Sequence, residues 1–410
     1  MKRMRQVLAA VAVLALIGGI GLAGYQWLPA SQEPVPAFLD RHWERPVPLQ
    51  GEPPAGFSEL EASLDPESCA QCHPQQHEDW QQSLHSETYS AGLRWQLALM
   101  GPGQGRECLT CHTPLGEQVA LAAGEFGWPG APEGPPPAHV PPDLHEDGLA
   151  CAACHVRDHQ RYGPPPREEG IDPDQGPHGG FTVQAAFEDS RFCAACHQFP
   201  EDGPRLNGKL RENTQKQWEA SFHADEGRTC QDCHMPDRRH HWKGIQDPAM
   251  TASALSVDFD VSEARAEVTV RNTGAGHHFP TYMVPEVVLR LVRTNGETRR
   301  ELDRAVIAWR STVDLSEELF DRRLASGEAR TLEAGLETPL ARGEGLAVVM
   351  EVAPKRLYER TFEDYRERAG DRLEPDVRDL LDLAIAEARS TRYTRVLSRY
   401  EPTADGDIAN

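Results

Sequence analysis

Ten cysteines are present, and every one falls in a Cys-x-x-Cys-His pentapeptide. The five copies are Cys69/Cys72/His73, Cys108/Cys111/His112, Cys151/Cys154/His155, Cys193/Cys196/His197 and Cys230/Cys233/His234. Two thiols at this spacing can each add to one vinyl group of a single porphyrin. The next residue then lies under the iron, where its imidazole becomes the proximal ligand. Two other chemistries use paired cysteines: disulfides in exported chains and structural zinc. Neither calls for a histidine after every second cysteine. With 17 histidines in 410 residues, five such placements by chance have a probability of roughly (17/410)^5, on the order of 10^-7. The pattern predicts five covalently attached c-type haems.

What fills the sixth position of each iron separates an electron relay from a catalyst. Candidates for that position are His85, His145, His178, His223, His240 and His277. His85 and His223 share a repeat, Trp-x-x-Ser-x-His, at Trp80/Ser83/His85 and Trp218/Ser221/His223. His145 lies six residues before Cys151. His178 sits in a Pro-His-Gly-Gly loop, His240 closely follows the last motif, and His277 lies in Gly276-His-His-Phe-Pro280. For each, the plain alternative is a hydrogen-bonded or solvated histidine. His77, four residues after His73, reads as a surface or supporting residue. Met100, Met235 and Met250 are alternative ligands. If one iron were open, His139, His159 and Tyr162 are candidate acid–base helpers.

These residues need a scaffold, and the spacing limits it. Cys69 to His234 spans 166 residues (234 − 69 + 1), about 33 per haem, too few for five separate haem domains. The haems must share one wrapped unit and form its core. Gly105, Gly148 and Gly227 each precede the first cysteine of a motif by three residues. Pro74 suits the first turn of a helix, and 124–143 and 163–180 read as Gly/Pro-rich loops. Beyond residue 250 the pattern changes. Val257–Val261, Ala266–Arg271, Val287–Val292 and Ala347–Val352 read as strands, with Asn295-Gly296 as a hairpin turn. Asp376 to Leu397 carries helical periodicity. The expected fold class is α+β. A mainly α and irregular multihaem domain (67–250) wraps five haems, followed by a small antiparallel β-sandwich (251–355) and a C-terminal helical segment (356–410).

Composition sets the surroundings. The net charge is -22, hydrophobic residues are 39%, and there are 34 Gly and 33 Pro. The acidic balance argues against nucleic acid, because phosphate contacts need Lys and Arg. It suits a soluble face that steers towards a basic redox partner. Lys2, Arg3 and Arg5 precede an apolar run from Val7 to Gly24. Residues 1–28 read as a membrane anchor or a signal peptide, and either carries the rest out of the cytoplasm. The expected location is the periplasmic side of a bacterial inner membrane, anchored there or released after cleavage. Residues 29–66 read as a Pro-rich tether. The expected partners are redox proteins, the membrane through the N-terminal segment, and, under the catalytic reading, a small molecule.

Cys69-Ala-Gln-Cys-His-Pro, Glu78-Asp-Trp-Gln-Gln-Ser-Leu-His85 and Gly148-Leu-Ala-Cys-Ala-Ala-Cys-His155 resemble the cytochrome c-554 type of multihaem cytochromes. The resemblance implies short helices round closely stacked haems, many with two histidine ligands, and supports His85 and, by repeat, His223 as caps. Thr229-Cys-Gln-Asp-Cys-His-Met-Pro236 is similar to a stretch of pentahaem nitrite reductases. The active haem of those enzymes typically uses Cys-x-x-Cys-Lys, and all five motifs here end in His. Asn272-Thr-Gly-Ala-Gly-His277-His-Phe-Pro-Thr281 resembles a motif of β-domains appended to multihaem cytochromes. The family implies a scaffold and names no substrate.

Overall fold

Alternation of apolar and polar residues builds the C-terminal half, and loops and short helices build the N-terminal half. The computed structural model describes residues 33–167 and 171–402. The chain is α+β with antiparallel sheets. Residues 1–28 lie outside the described residues. Among those described, no helix is long and apolar enough to cross a membrane.

The N-terminal half carries short helices separated by turns. Four motifs close a helix, at Pro102–His112, Cys151–His155, Arg191–His197 and Cys230–His234, and the helix Pro66–Ala70 ends inside the first, whose His73 precedes the helix Pro74–Gln81. The expected tether of 29–66 is not extended over its described part. Val35–His42 is helical, and Phe38, Val47 and Leu64 are buried. His42 hydrogen-bonds through Nε2 to the Cys154 carbonyl at 2.9 Å, so this segment is stitched to the third motif. Apolar residues scattered among the prolines supply that contact.

The C-terminal half is a sandwich of eight strands: β1 Leu255–Val261, β2 Arg265–Asn272, β3 Glu286–Asn295, β4 Thr298–Ser311, β5 Glu318–Asp321, β6 Ala329–Gly335, β7 Glu344–Ala353 and β8 Tyr393–Tyr400. One sheet runs β5-β4-β3-β7-β8 and the other β6-β2-β1. The β3–β4 hairpin closes on Asn295 opposite Thr298, with Gly296 at φ +57°. Val268 and Val270 of one sheet meet Leu289, Leu291, Val348 and Met350 of the other, all fully buried. Truncating one such leucine to alanine costs about 2–5 kcal/mol.

Two findings differ from expectation. The sandwich does not end at 355, and the helix expected over Asp376–Leu397 stops at Ser390. The helices Arg356–Ala369 and Pro375–Ser390 are inserted between β7 and β8. Tyr393, Val396 and Tyr400 suit a half-buried strand, and pairing with β7 overrides the helical pattern. The inserted helices dock on Ala91–Met100 through Trp95, Phe362, Leu381 and Ala384. Gly92 permits that approach, because a Cβ there would lie 2.9 Å from the Phe362 ring. The Tyr393 hydroxyl donates to the Ile245 carbonyl at 2.9 Å, joining β8 to the end of the motif region.

Candidate functional site

All ten motif cysteines and all five motif histidines line one cavity of about 2210 Å³. That is more than twice the upper end, about 1,000 Å³, of ordinary small-molecule pockets. None of the cysteines is in a disulfide, and among the described residues no His/Cys/Asp/Glu cluster has the form of a metal-ion site. Thiols of different motifs adjoin one another: Cys69 and Cys151, Cys111 and Cys196, Cys193 and Cys230. The motifs therefore adjoin as one with three, two with four, and four with five.

The motif histidines are aimed by their backbones. The Nδ1–H of His112 donates to the Thr88 carbonyl at 2.9 Å, that of His155 to Tyr162 at 2.8 Å and that of His234 to Lys243 at 2.6 Å. Such a bond fixes the tautomer and leaves Nε2 as the lone-pair nitrogen that an iron needs. Thr88 also donates from its hydroxyl to the His112 carbonyl at 2.6 Å.

The remaining histidines sort themselves against these five. Ring centroids of His85 and His197 are 6.4 Å apart, of His155 and His240 6.2 Å, and of His234 and His277 6.3 Å. Two metal–imidazole bonds of about 2.0–2.1 Å plus the two ring radii separate centroids by roughly 6.3 Å. Packed aromatic rings also fall within about 4.5–7 Å, so distance alone does not discriminate. Three separate pairs nonetheless each join a motif histidine to an expected cap. His240 and His277 donate their Nδ1–H to the carbonyls of Arg238 and His278, at 3.0 and 2.8 Å. Burial pushes His85 down to about 3, and His240 and His277 to about 4, so all three are neutral at pH 7, the form that ligates metal.

His178 lines the cavity near His73, whose pKa is lowered first by burial and then by His178. Its Nδ1–H donates to the Gly180 carbonyl at 2.9 Å. His223 also lines the cavity, and its Nε2 is buried without a partner. Its neighbours are Phe222 and Arg228 rather than a motif histidine. His145 is not among the residues lining the cavity; it packs on Tyr89, and its Nε2 lies 3.2 Å from a Glu125 oxygen. His139 and His159, considered as acid–base helpers, pack against each other 5.0 Å apart, and His159 bonds to the Gly51 carbonyl. Tyr162 faces the cavity. His77, expected as a surface or supporting residue, is buried, with Nε2 3.3 Å from Glu67.

The two Trp-x-x-Ser-x-His copies fold alike. Trp80 Nε1 donates to the Leu149 carbonyl at 2.9 Å, and Trp218 Nε1 to the Arg228 carbonyl at 3.0 Å. The amide of Leu149 donates to the His85 carbonyl at 2.8 Å, and that of Arg228 to the His223 carbonyl at 2.9 Å. Each copy thus clasps a Gly-x-x-Cys-x-x-Cys-His segment, at Gly148 (φ +61°) and Gly227 (φ +75°).

No protein-family model matches this sequence. No curated protein matches it. Among solved structures, a penta-heme cytochrome c552 from Thermochromatium tepidum is similar over 71% of this chain and 91% of its own, at 20% identity and a TM-score of 0.49. A likeness of that degree carries no functional weight here; the side chains do.

Two supporting residues have no motif to announce them. Asp79, with its side chain 2% exposed, accepts from Arg239 at 2.7 and 2.6 Å and from the His240 amide at 3.0 Å. It anchors a loop in which Asp237, Arg238 and Trp242 all have positive φ. Trp242 stands 4.6 Å from His85 and 5.0 Å from His240, edge-on to both. The residues present fit five covalent haems: paired thiols, aimed imidazoles and a shared cavity. Two positions differ. Among the described imidazoles, none faces His73 or His112 at the separation of the three pairs, although His178 lies within electrostatic range of His73.

Proposed function

We propose that this chain is a pentahaem c-type cytochrome that passes electrons between redox partners outside the cytoplasm. Cys69/Cys72, Cys108/Cys111, Cys151/Cys154, Cys193/Cys196 and Cys230/Cys233 attach the haems. His73, His112, His155, His197 and His234 are the proximal ligands. His178, His240, His85 and His277 cap the irons of motifs one, three, four and five. The observation that carries the reading is the gathering of all five motifs on one cavity, with three imidazole pairs near 6.3 Å. Bound haem supplies reversible one-electron chemistry, tuned by axial ligand and burial. The protein's own part is to hold neutral imidazoles, fix their tautomers and bring the motifs together. The acidic surface favours a basic partner, and the N-terminal segment is the proposed route of export and membrane attachment.

A second reading is favoured by His112, which has no facing imidazole and, unlike His73 with His178, no candidate cap beside it: the motif-two iron keeps an open sixth position for a small molecule. One measurement addresses both. Low-temperature electron paramagnetic resonance of the oxidised protein should show low-spin signals from four haems and one high-spin equivalent. Low-spin signals alone would leave a pure relay. Denatured protein that carries no covalent haem would end both readings.

A further inference from the structure

His145, set apart from the cavity lining, belongs to a hub built on the Glu125 carboxylate. Its Oε2 accepts from the Tyr89 hydroxyl at 2.6 Å and takes the Nε2–H of His145 at 3.2 Å. Its Oε1 accepts from Arg94 Nε at 3.0 Å and from a second Arg94 nitrogen at 2.7 Å. A carboxylate offers about four lone-pair sites, so this one is filled. Tyr89 and His145 are buried, and the Glu125 side chain is 23% exposed. Burial raises the Glu125 carboxyl, yet the bonds from His145, Tyr89 and Arg94 outweigh it and bring the value down to about 2.

Three elements meet there. Glu125 ends the helix Gly116–Glu125, His145 lies on the 3-10 turn Leu144–Asp147, and Arg94 on the helix Ala91–Met100. Gln118, on the same helix as Glu125, holds the second element by donating to the carbonyls of Leu144 and Gly148 at 2.9 and 2.8 Å. Joining three elements would be duty enough for an ion pair. The residue before Tyr89 gives this hub another. The Thr88 carbonyl accepts the Nδ1–H of His112 at 2.9 Å, and the Thr88 hydroxyl donates to the His112 carbonyl at 2.6 Å. The Thr88 carbonyl belongs to the planar Thr88–Tyr89 peptide, so anchoring Tyr89 limits where that carbonyl can point. Thr88, Ser90 and His112 line the cavity, while the Tyr89 ring packs on His145 at 5.2 Å.

We propose that Glu125 and Tyr89 are positioning residues for His112, holding the Thr88 carbonyl on its imidazole and so keeping the potential of the motif-two haem low. The proposal rests on the reading of His112 as a haem ligand. A firm Nδ1–H bond raises the basicity of the ligating nitrogen and favours oxidised iron. A slack carbonyl does less of this, and the haem accepts an electron more readily.

The experiment is an optical redox titration of the full-length haem-loaded protein, with denaturant unfolding alongside. Glu125→Gln puts an amide in the hub. Whichever way that amide lies, its NH2 meets donors, Arg94 on one side or Tyr89 and His145 on the other. Tyr89→Phe removes one hydroxyl and no charge, and serves if the glutamine variant misfolds. Expected in Glu125→Gln is a rise in one midpoint potential of five, by about tenfold in the reduction equilibrium, or 59 mV for one electron. Tyr89→Phe should raise the same potential by a smaller factor. Thr88→Val, which cuts the hydroxyl bond to His112, should raise it as well. Lower stability with all potentials unchanged would make the hub a structural joint. A shift in Glu125→Gln with none in Tyr89→Phe would show the lost charge acting by itself. Movement of a different potential in Thr88→Val would place the effect elsewhere than at His112. Each of these three results would overturn the proposal. An unmutated chain that carries no covalent haem would instead end the reading of His112 beneath it.

Discussion

Replacing Gly148 by alanine should damage the protein far more than the same change at Gly227, although the two occupy equivalent places in the repeat. Both have positive φ, +61° and +75°. Placing an L-residue there costs about 1–2 kcal/mol, offset by about 0.4–1 kcal/mol because alanine restricts the unfolded chain. At Gly227 a new Cβ meets nothing within 4 Å, so the net cost is about 0.5–1 kcal/mol. At Gly148 the Cβ would sit 2.5 Å from Thr88 Oγ1, 2.6 Å from the His85 carbonyl and 2.9 Å from the Thr88 amide. Two of those three atoms are backbone and cannot swing away, so overpacking adds about 1–3 kcal/mol. The total for Gly148→Ala is about 2–4 kcal/mol. The displaced residues also have duties: His85 faces His197, and Thr88 bonds to both ends of His112. The assay is denaturant unfolding of both variants, followed by electron paramagnetic resonance of the folded fraction. Gly148→Ala should lower stability by at least 1 kcal/mol more than Gly227→Ala and broaden low-spin signals. Equal losses would refute the claim that the first clasp positions ligands while the second has slack.

Asp79→Asn should free the His240 loop and convert one haem towards high spin, leaving the others unaltered; an unchanged spectrum would show that the loop holds itself. The hydrogen bonds from Arg239, helped by the His240 amide, keep the Asp79 carboxyl below its ordinary value of about 3.9. Its contribution is therefore complete above that value and fades as pH falls through the depressed one, so an acid titration should leave the motif-three haem low-spin down to about pH 4. His277→Ala should open one iron, and deleting residues 251–402 should open the same one; a mismatch would mean that the sandwich serves some other haem. Trp242→Ala, in contact with His85 and His240 at once, should shift the midpoint potentials of two haems together. A shift confined to one would deny it a bridging place.

The attachment motifs are legible in the sequence because each is local along the chain, and the structure gathers all five on one cavity. The placement of the candidate caps was partly legible. His85, His178, His240 and His277 were chosen from repeat, loop or neighbourhood, and each lies on the cavity. His145 was chosen by closeness to Cys151, and closeness along the chain did not bring it to the cavity, since Tyr89 and Glu125 claim the ring. The repeat supported both His85 and His223, yet only His85 meets a motif histidine, because a repeat specifies the clasp and not what stands opposite. Asp79, Thr88 and His42 could not be read at all. Each acts across long chain separations, as Asp79 does on Arg239, and a lone aspartate or threonine carries no periodic signal. Tyr393–Tyr400 was misread for a related reason: a partner strand decides it, and that strand lies across two inserted helices.

Every facing pair joins distant parts of the chain. His277 and His234 are separated by 43 residues (277 − 234), and His85 and His197 by 112 (197 − 85). Were an iron held between them, as proposed, each pair would become a cross-link, and closing loops of that size would remove about 4–5 kcal/mol of freedom from the denatured chain in the simple entropy treatment. A sequence only 39% hydrophobic would then owe its N-terminal fold largely to coordination bonds. Displacing those imidazoles with a strong external ligand would unlace the polypeptide as well as alter its potentials.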